Sequence, residues 1–305
     1  MAKPAKQNPG KRLYKVAEHI FKRQTVFSDE WRTLGREAEL AAAQVALGIT
    51  VLGRADHKRL GDYTTAFFGL ANGLERLGKL IVITDHAIEN HGKFPTNDYL
   101  KHTFRHDLNP LLDACEAIST KRTSSSPRLK RPNEAVHKGI VQCLNEFAKL
   151  TRYYNLDLLT GGQAARVPEP VGAWWKRVGE PILSLHYKRV QRKKDRAEAN
   201  SLNELMNGRV LVLAHSETGE SMNDLTALVQ RAGATRVVQK YGRLYVLQIV
   251  RWLSYLISDL AHHATYTHRI GHFLGLEEPF VLFLQDDDVY RRRKTWAIYP
   301  PFRSG

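Results

Sequence analysis

Between Tyr63 and Ile88, apolar residues recur at Phe67, Leu70, Ala71, Leu74, Leu77 and Ile81. These three- and four-residue steps place one stripe on a helix, with none of the alternation a strand requires. A stripe this long is stable only when other elements cover it, and the neighbouring segments are helical in pattern too. Glu75 stands four residues before Lys79, the favourable order for an intrahelical pair, and Gly92 and Pro95 close the segment.

The same reading extends along the chain. Ser28 offers an N-cap, Asp29 and Glu30 occupy the following turn, and an alanine-rich helix runs past Leu47. A shorter helix is expected from Tyr99 or Asp107 to Ile118. Glu134 to Leu159 reads as a long helix with Val136, Ile140, Leu144, Phe147, Thr151, Tyr154 and Leu158 on one face, ended by Gly161-Gly162. Lys121 to Pro132 is a basic, serine-rich loop expected to be exposed. Pro168, Pro170 and Pro181 surround Trp174-Trp175, and the boundary between two helical units is placed there. Beyond it, 182–198 predicts a cationic helix, 210–214 is either strand or buried helix, and 221–231 and 235–265 predict two further helices. The expected architecture is therefore all-α: a basic arm over residues 1–26, an antiparallel helical bundle over 27–162, and a C-terminal helical extension over 163–305.

Charge narrows the function classes. The 305 residues carry 46 Lys plus Arg against 31 Asp plus Glu, a formal net charge of +15. A field of that sign draws polyanions and raises encounter rates with them, so RNA or DNA is the expected partner. Two cysteines, Cys115 and Cys143, with no CxxC pattern, suit a reducing, cytoplasmic setting. No uninterrupted apolar run reaches the roughly 18 residues of a transmembrane helix, so no transmembrane helix is expected; no membrane partner is expected either, peripheral contact through the basic helix ranking third behind the nucleic-acid readings.

In the first half, Gly73-Leu74-Glu75-Arg76-Leu77-Gly78-Lys79 lies on one helix, His106-Asp107-Leu108 opens another, and Arg152-Tyr153-Tyr154-Asn155-Leu156-Asp157 follows Phe147. This pattern, over roughly residues 27–162, resembles the HEPN superfamily. The resemblance implies a dimerising helical bundle that occurs in prokaryotic defence, toxin–antitoxin pairs and RNA processing. Many members are metal-independent endoribonucleases; others bind nucleotides or partner proteins without cleaving. Active members carry Arg and then His, with four to six residues between them, at the start of the last bundle helix. Arg131 and His137, with five residues between them, match that placement, with Pro132 where the family usually has a polar residue. The resemblance implies that His137 moves the 2′-hydroxyl proton and that Arg131 holds the phosphorane charge. No cofactor is expected. A homodimer, or a protein partner such as an antitoxin, is implied on the same ground.

Other residues have two readings each. Arg76, Lys79 and His106 form a phosphate-binding group, or Glu75 neutralises the cations while Asp107 caps a helix over a packed His106. Arg152 is a phosphate contact or a cation favoured by its place near a helix end. Lys188, Arg189, Arg192 and Lys193 belong to a basic run that is a solvated helix face by default; beside Tyr187 and Trp174-Trp175, it becomes a stacking-plus-phosphate surface. His268 and His272 stand one helical turn apart, but no neighbouring ligand completes a metal set in sequence, so no metal is expected. Asp286-Asp287-Asp288 suits a helix start paired with the arginines that follow, or a divalent cation.

Overall fold

Serine at position 28 caps the first described helix as its chemistry dictates: the Trp31 backbone N–H donates to Ser28 Oγ at 3.2 Å, and Asp29 and Glu30 occupy the first turn of α1, Asp29–Leu52. The computed structural model describes residues 28–122, 127–162, 167–206 and 213–297. The basic arm lies outside the described residues, as do parts of the serine-rich loop and of the 210–214 run.

The long stripe forms α2, Leu60–Glu89, and its six apolar positions are all buried. It pairs closely with α1 because small residues meet at the crossing. A Cβ added to Gly69 would sit 2.8 Å from the Gln44 carbonyl and 3.1 Å from Gly48 Cα, so this approach needs glycine. The expected helix ahead of Ile118 is two helices, α3 (Asn97–Phe104) and α4 (Leu108–Arg122). Arg105, at φ 44°, turns the chain between them.

The long helix expected over 134–159 is interrupted. Α5, Ala135–Glu146, widens into a π turn at Phe147–Thr151, and a separate short helix α6 covers Tyr154–Thr160. The stripe is buried through Thr151, but Leu158 is exposed. Gly161, in the left-handed region at φ 72°, ends α6 as its sequence suggests. Next come α7 (Pro170–Trp174), a π turn at Trp175–Gly179, α8 (Glu180–His186) and α9 (Arg189–Leu205). The chain breaks at Tyr187-Lys188, so the expected cationic helix is split.

Residues 214–222 hold a two-residue antiparallel ladder, β1 (Ala214–His215) with β2 (Ser221–Met222), Ala214 facing Met222. The two helices expected after residue 221 are one: α10, Leu225–His262, capped by Asp224, whose Oδ1 accepts from the Ala227 N–H at 2.6 Å. Short 3₁₀ turns and α11, Asp287–Arg292, complete the described chain. Asp288 pairs with Arg291 at this helix start, as the run of acids followed by arginines suggests.

The fold is all-α apart from the small ladder. One continuous core joins residues before and after the expected 162/163 boundary. Trp252 on α10 donates its indole N–H to the Leu129 carbonyl at 2.9 Å, and Trp175 donates to Tyr63 Oη at 3.1 Å. Leu225–Thr267 is long and apolar enough to cross a membrane by length and composition, yet 72% of its qualifying window is buried inside the protein. Its apolar character is that of a core helix.

Candidate nucleic-acid interface

The Arg–His pair at the start of α5 is drawn into the architecture. The Glu134 backbone N–H donates to His137 Nδ1 at 3.2 Å, which places the ring proton on Nε2; that atom donates to Gln248 Oε1 at 2.8 Å. Gln248 in turn donates to Asp287 at 2.9 Å, so the imidazole ties the head of α5 to α10 and α11. His137 is 3% exposed, and burial holds its pKa below the usual histidine value, opposed by the Gln248 hydrogen bond. Arg131 Nη1 meets Asp113 at 2.6 Å and Glu116 at 3.1 Å, and its guanidinium lies over the Trp252 ring. Arg131 and His137 nevertheless line one small pocket of about 230 Å³ with Asn133 and Lys138.

The second group is also charge-paired. Arg76 binds Glu37 at 2.5 Å, Lys79 binds Glu75 at 2.6 Å, and His106 Nδ1 lies 3.2 Å from the same Glu75. Lys79 therefore forms the intrahelical pair its spacing predicts. His106 does not pack beneath α4; its side chain is exposed. Leu108, which opens α4, has its backbone N–H bound by the buried Asn145 amide at 2.7 Å. Arg152 rests on the Phe68 ring with its centre 5.3 Å from the centroid.

The expected stacking surface at Trp174-Trp175 does not exist, because both indoles are buried in the core. Their size and apolarity outweigh their nearness in sequence to the basic run. His268 and His272 do not share a helix face either. The chain leaves its helical path at Arg269, φ 59°, so His268 packs on His263 while His272 reaches Ser28 Oγ at 3.1 Å.

A different arrangement holds on α9. Arg189, Arg192, Lys193 and Arg196 are three, four and seven residues apart, so they share one face. That face lines an open cleft of about 790 Å³ whose opposite wall is the β1–β2 hairpin and the first turns of α10, including Ser216, Ser221, Met222 and Arg231. Glu220 also lines it. No family model, curated protein or solved structure matches this chain. The site is therefore judged on its own chemistry.

The row is aimed by a buried acid. Asp195, 1% exposed within a basic stretch, accepts from the Tyr187 hydroxyl at 2.7 Å and from Gln191 at 2.9 Å, and meets Arg236 at 3.3 Å. Together with buried Ala199 it defines the face of α9 that docks on α10, which turns the cationic face toward the cleft. Arg231 is committed to the wall: it binds buried Glu217 at 2.6 Å and lies 3.8 Å over the Trp175 ring. By contrast, Arg189, Lys193 and Arg196 have no ion pair to a carboxylate among the described residues. Lys188 caps α9 at its exposed N-terminus, outside the cleft lining.

The cationic stretch 182–198 makes Arg189, Arg192, Lys193 and Arg196 legible in the sequence, whereas Asp195, Ser216, Ser221, Met222 and Arg231 are not. The seven-residue reach from Arg189 to Arg196 was the available signal for Arg196. Nothing local signals the hairpin wall, which faces α9 only through tertiary folding.

Proposed function

We propose that this protein is a nucleic-acid-binding protein whose phosphate-reading surface is the α9 row in the cleft against α10 and the hairpin. The observation that carries this reading is the contrast in charge pairing. Arg76, Lys79 and Arg131 in the bundle are matched by carboxylates, whereas Arg189, Lys193 and Arg196 line an open cleft and form no ion pair among the described residues. Unpaired cations at helical spacing give up few existing interactions when they meet phosphate. From Arg189 to Arg196 the row spans about 10 Å along the helix axis, enough for two or three consecutive phosphates of a strand.

The test is direct binding of labelled RNA and DNA oligomers to the purified protein and to the charge-reversal triple variant R189E/K193E/R196E. Affinity should fall at least tenfold in the variant while the thermal melt stays in place. Unchanged affinity would remove the assignment.

A second reading keeps the HEPN-like activity, a metal-independent endoribonuclease of a defence or toxin–antitoxin system. The shared pocket of Arg131 and His137 favours it. It requires His137 to exchange its hydrogen bonds to Glu134 and Gln248 for substrate, and Arg131 to leave Asp113 and Glu116. Cleavage of RNA in the presence of chelator, lost in His137→Asn with binding retained, would establish it. Absence of cleavage by the wild type leaves the binding function alone.

A further inference from the structure

One cation of the row is held unlike the others. Arg192 donates from Nε to the Tyr187 carbonyl at 2.9 Å and from Nη2 to the Leu183 carbonyl at 3.3 Å. Its guanidinium lies over the Tyr187 ring, 5.0 Å from the centroid, and that ring is itself fixed by the hydroxyl bond to Asp195. Two carbonyls and a ring thus set both the position and the tilt of the plane.

This has a chemical consequence. An arginine forks a phosphate through a pair of parallel N–H bonds; here the Nε–Nη2 edge is spent on the Tyr187 and Leu183 carbonyls, and the Nη1–Nη2 end stays open. The guanidinium retains its second face. Arg192 is exposed and lines the cleft, where Leu183 and Met222 supply apolar wall. A flat, oriented, weakly hydrated cation beside apolar surface suits the π-face of a base, and guanidinium planes stack on unpaired bases in this way.

Resting on the nucleic-acid reading above, we infer that Arg192 is a stacking platform for a nucleobase, and that the cleft recognises nucleotide units rather than negative charge alone. Arg189, Lys193 and Arg196 hold the flanking phosphates. A base must be unpaired to reach the platform, because the hairpin and α10 close the far side of the cleft.

The experiment compares two fluorescent probes by anisotropy at fixed salt: a single-stranded DNA decamer, and a decamer of abasic sites with the same phosphates. The wild type should bind the base-bearing strand roughly tenfold more tightly, the scale of one stacked base. The R192K variant, which keeps the charge and loses the plane, should bind the two probes alike. Equal wild-type affinity for both probes would overturn the inference and leave a phosphate-reading surface. A preference that persists in R192K would overturn the assignment to Arg192. Failure of the wild type to bind either strand would overturn the underlying nucleic-acid reading as well.

Discussion

The carboxylate of Asp195 occupies the space where a side chain at Gly233 would begin: a Cβ added there would clash with Asp195 Oδ2 and lie 3.0 Å from the Tyr187 hydroxyl oxygen. Glycine in the middle of α10 thus admits the acid that anchors α9. The substitution Gly233→Ala should cost about 1–3 kcal/mol through overpacking. The loss should fall on α9: amide hydrogen exchange over 189–205 should accelerate, and oligonucleotide affinity should drop. Exchange rates in α9 indistinguishable from wild type would refute the anchor.

Removing the acid gives a complementary result. Asp195→Ala leaves the Tyr187 hydroxyl and Gln191 without their shared acceptor and should destabilise the protein by about 1–3 kcal/mol. It also frees Tyr187, so the Arg192 plane loses its fixed tilt. Denaturant titration would measure the first effect. The base-bearing to abasic affinity ratio would measure the second, and a ratio unchanged in Asp195→Ala would show that Tyr187 does not need the clamp.

Salt dependence reports the size of the phosphate footprint. Three cations meeting single-stranded phosphates predict a log–log slope of affinity against salt of about −2. The charge-reversal triple should flatten that slope. Affinity insensitive to salt between 50 and 200 mM, roughly the range over which such contacts are read, would contradict a phosphate surface.

His137 makes stability depend on pH with a definite sign. Burial lowers its folded pKa, so the native state keeps the ring neutral while the unfolded chain takes up a proton below about 6.5. Its neutral seat therefore contributes fully above about 6.5, and the contribution is lost as pH falls from there toward the folded value. Burial lowers His186 and His263 in the same direction. Unfolding free energies measured at several pH values should fall on acidification, less steeply in His137→Gln. Identical pH profiles for the two proteins would exclude His137 as a contributor.

Both cysteines should be inert while the protein is folded. Cys115 and Cys143 are buried, and burial pushes their thiols up to about 12 and about 11. Little thiolate exists near neutral pH, and reagents have little access to it. A colorimetric thiol assay should count no reactive groups in buffer and two in denaturant. Rapid labelling in buffer would show that the core opens.

Much of the fold is legible because helices signal themselves locally. The α2 stripe, the Ser28 cap, the Glu75–Lys79 pair and the Gly161 stop each depend on residues within a few positions of one another. The interruptions escape detection for the opposite reason. No proline or glycine marks residues 147–153, where α5 widens and ends, and the reading that split α10 near Gly233 lacked Asp195, 38 residues earlier. The candidate site follows the same division. The basic row announces itself, whereas the pairing of Arg131 with Asp113 and Glu116, and of His137 with Gln248, is made across the fold. Trp174 and Trp175 look like a surface beside that row only until the core claims them.

Because α10 threads the same interior that α2 and α5 enclose, the first 162 residues are not a self-sufficient module. Expressed alone, they would expose the sockets that Trp252 and Trp175 fill and leave the Leu129 carbonyl without its indole donor. Such a fragment should aggregate rather than cleave or bind, and grafting α9 alone onto another scaffold would carry Asp195 but neither the Tyr187 hydroxyl nor the space at Gly233 that give the helix its heading.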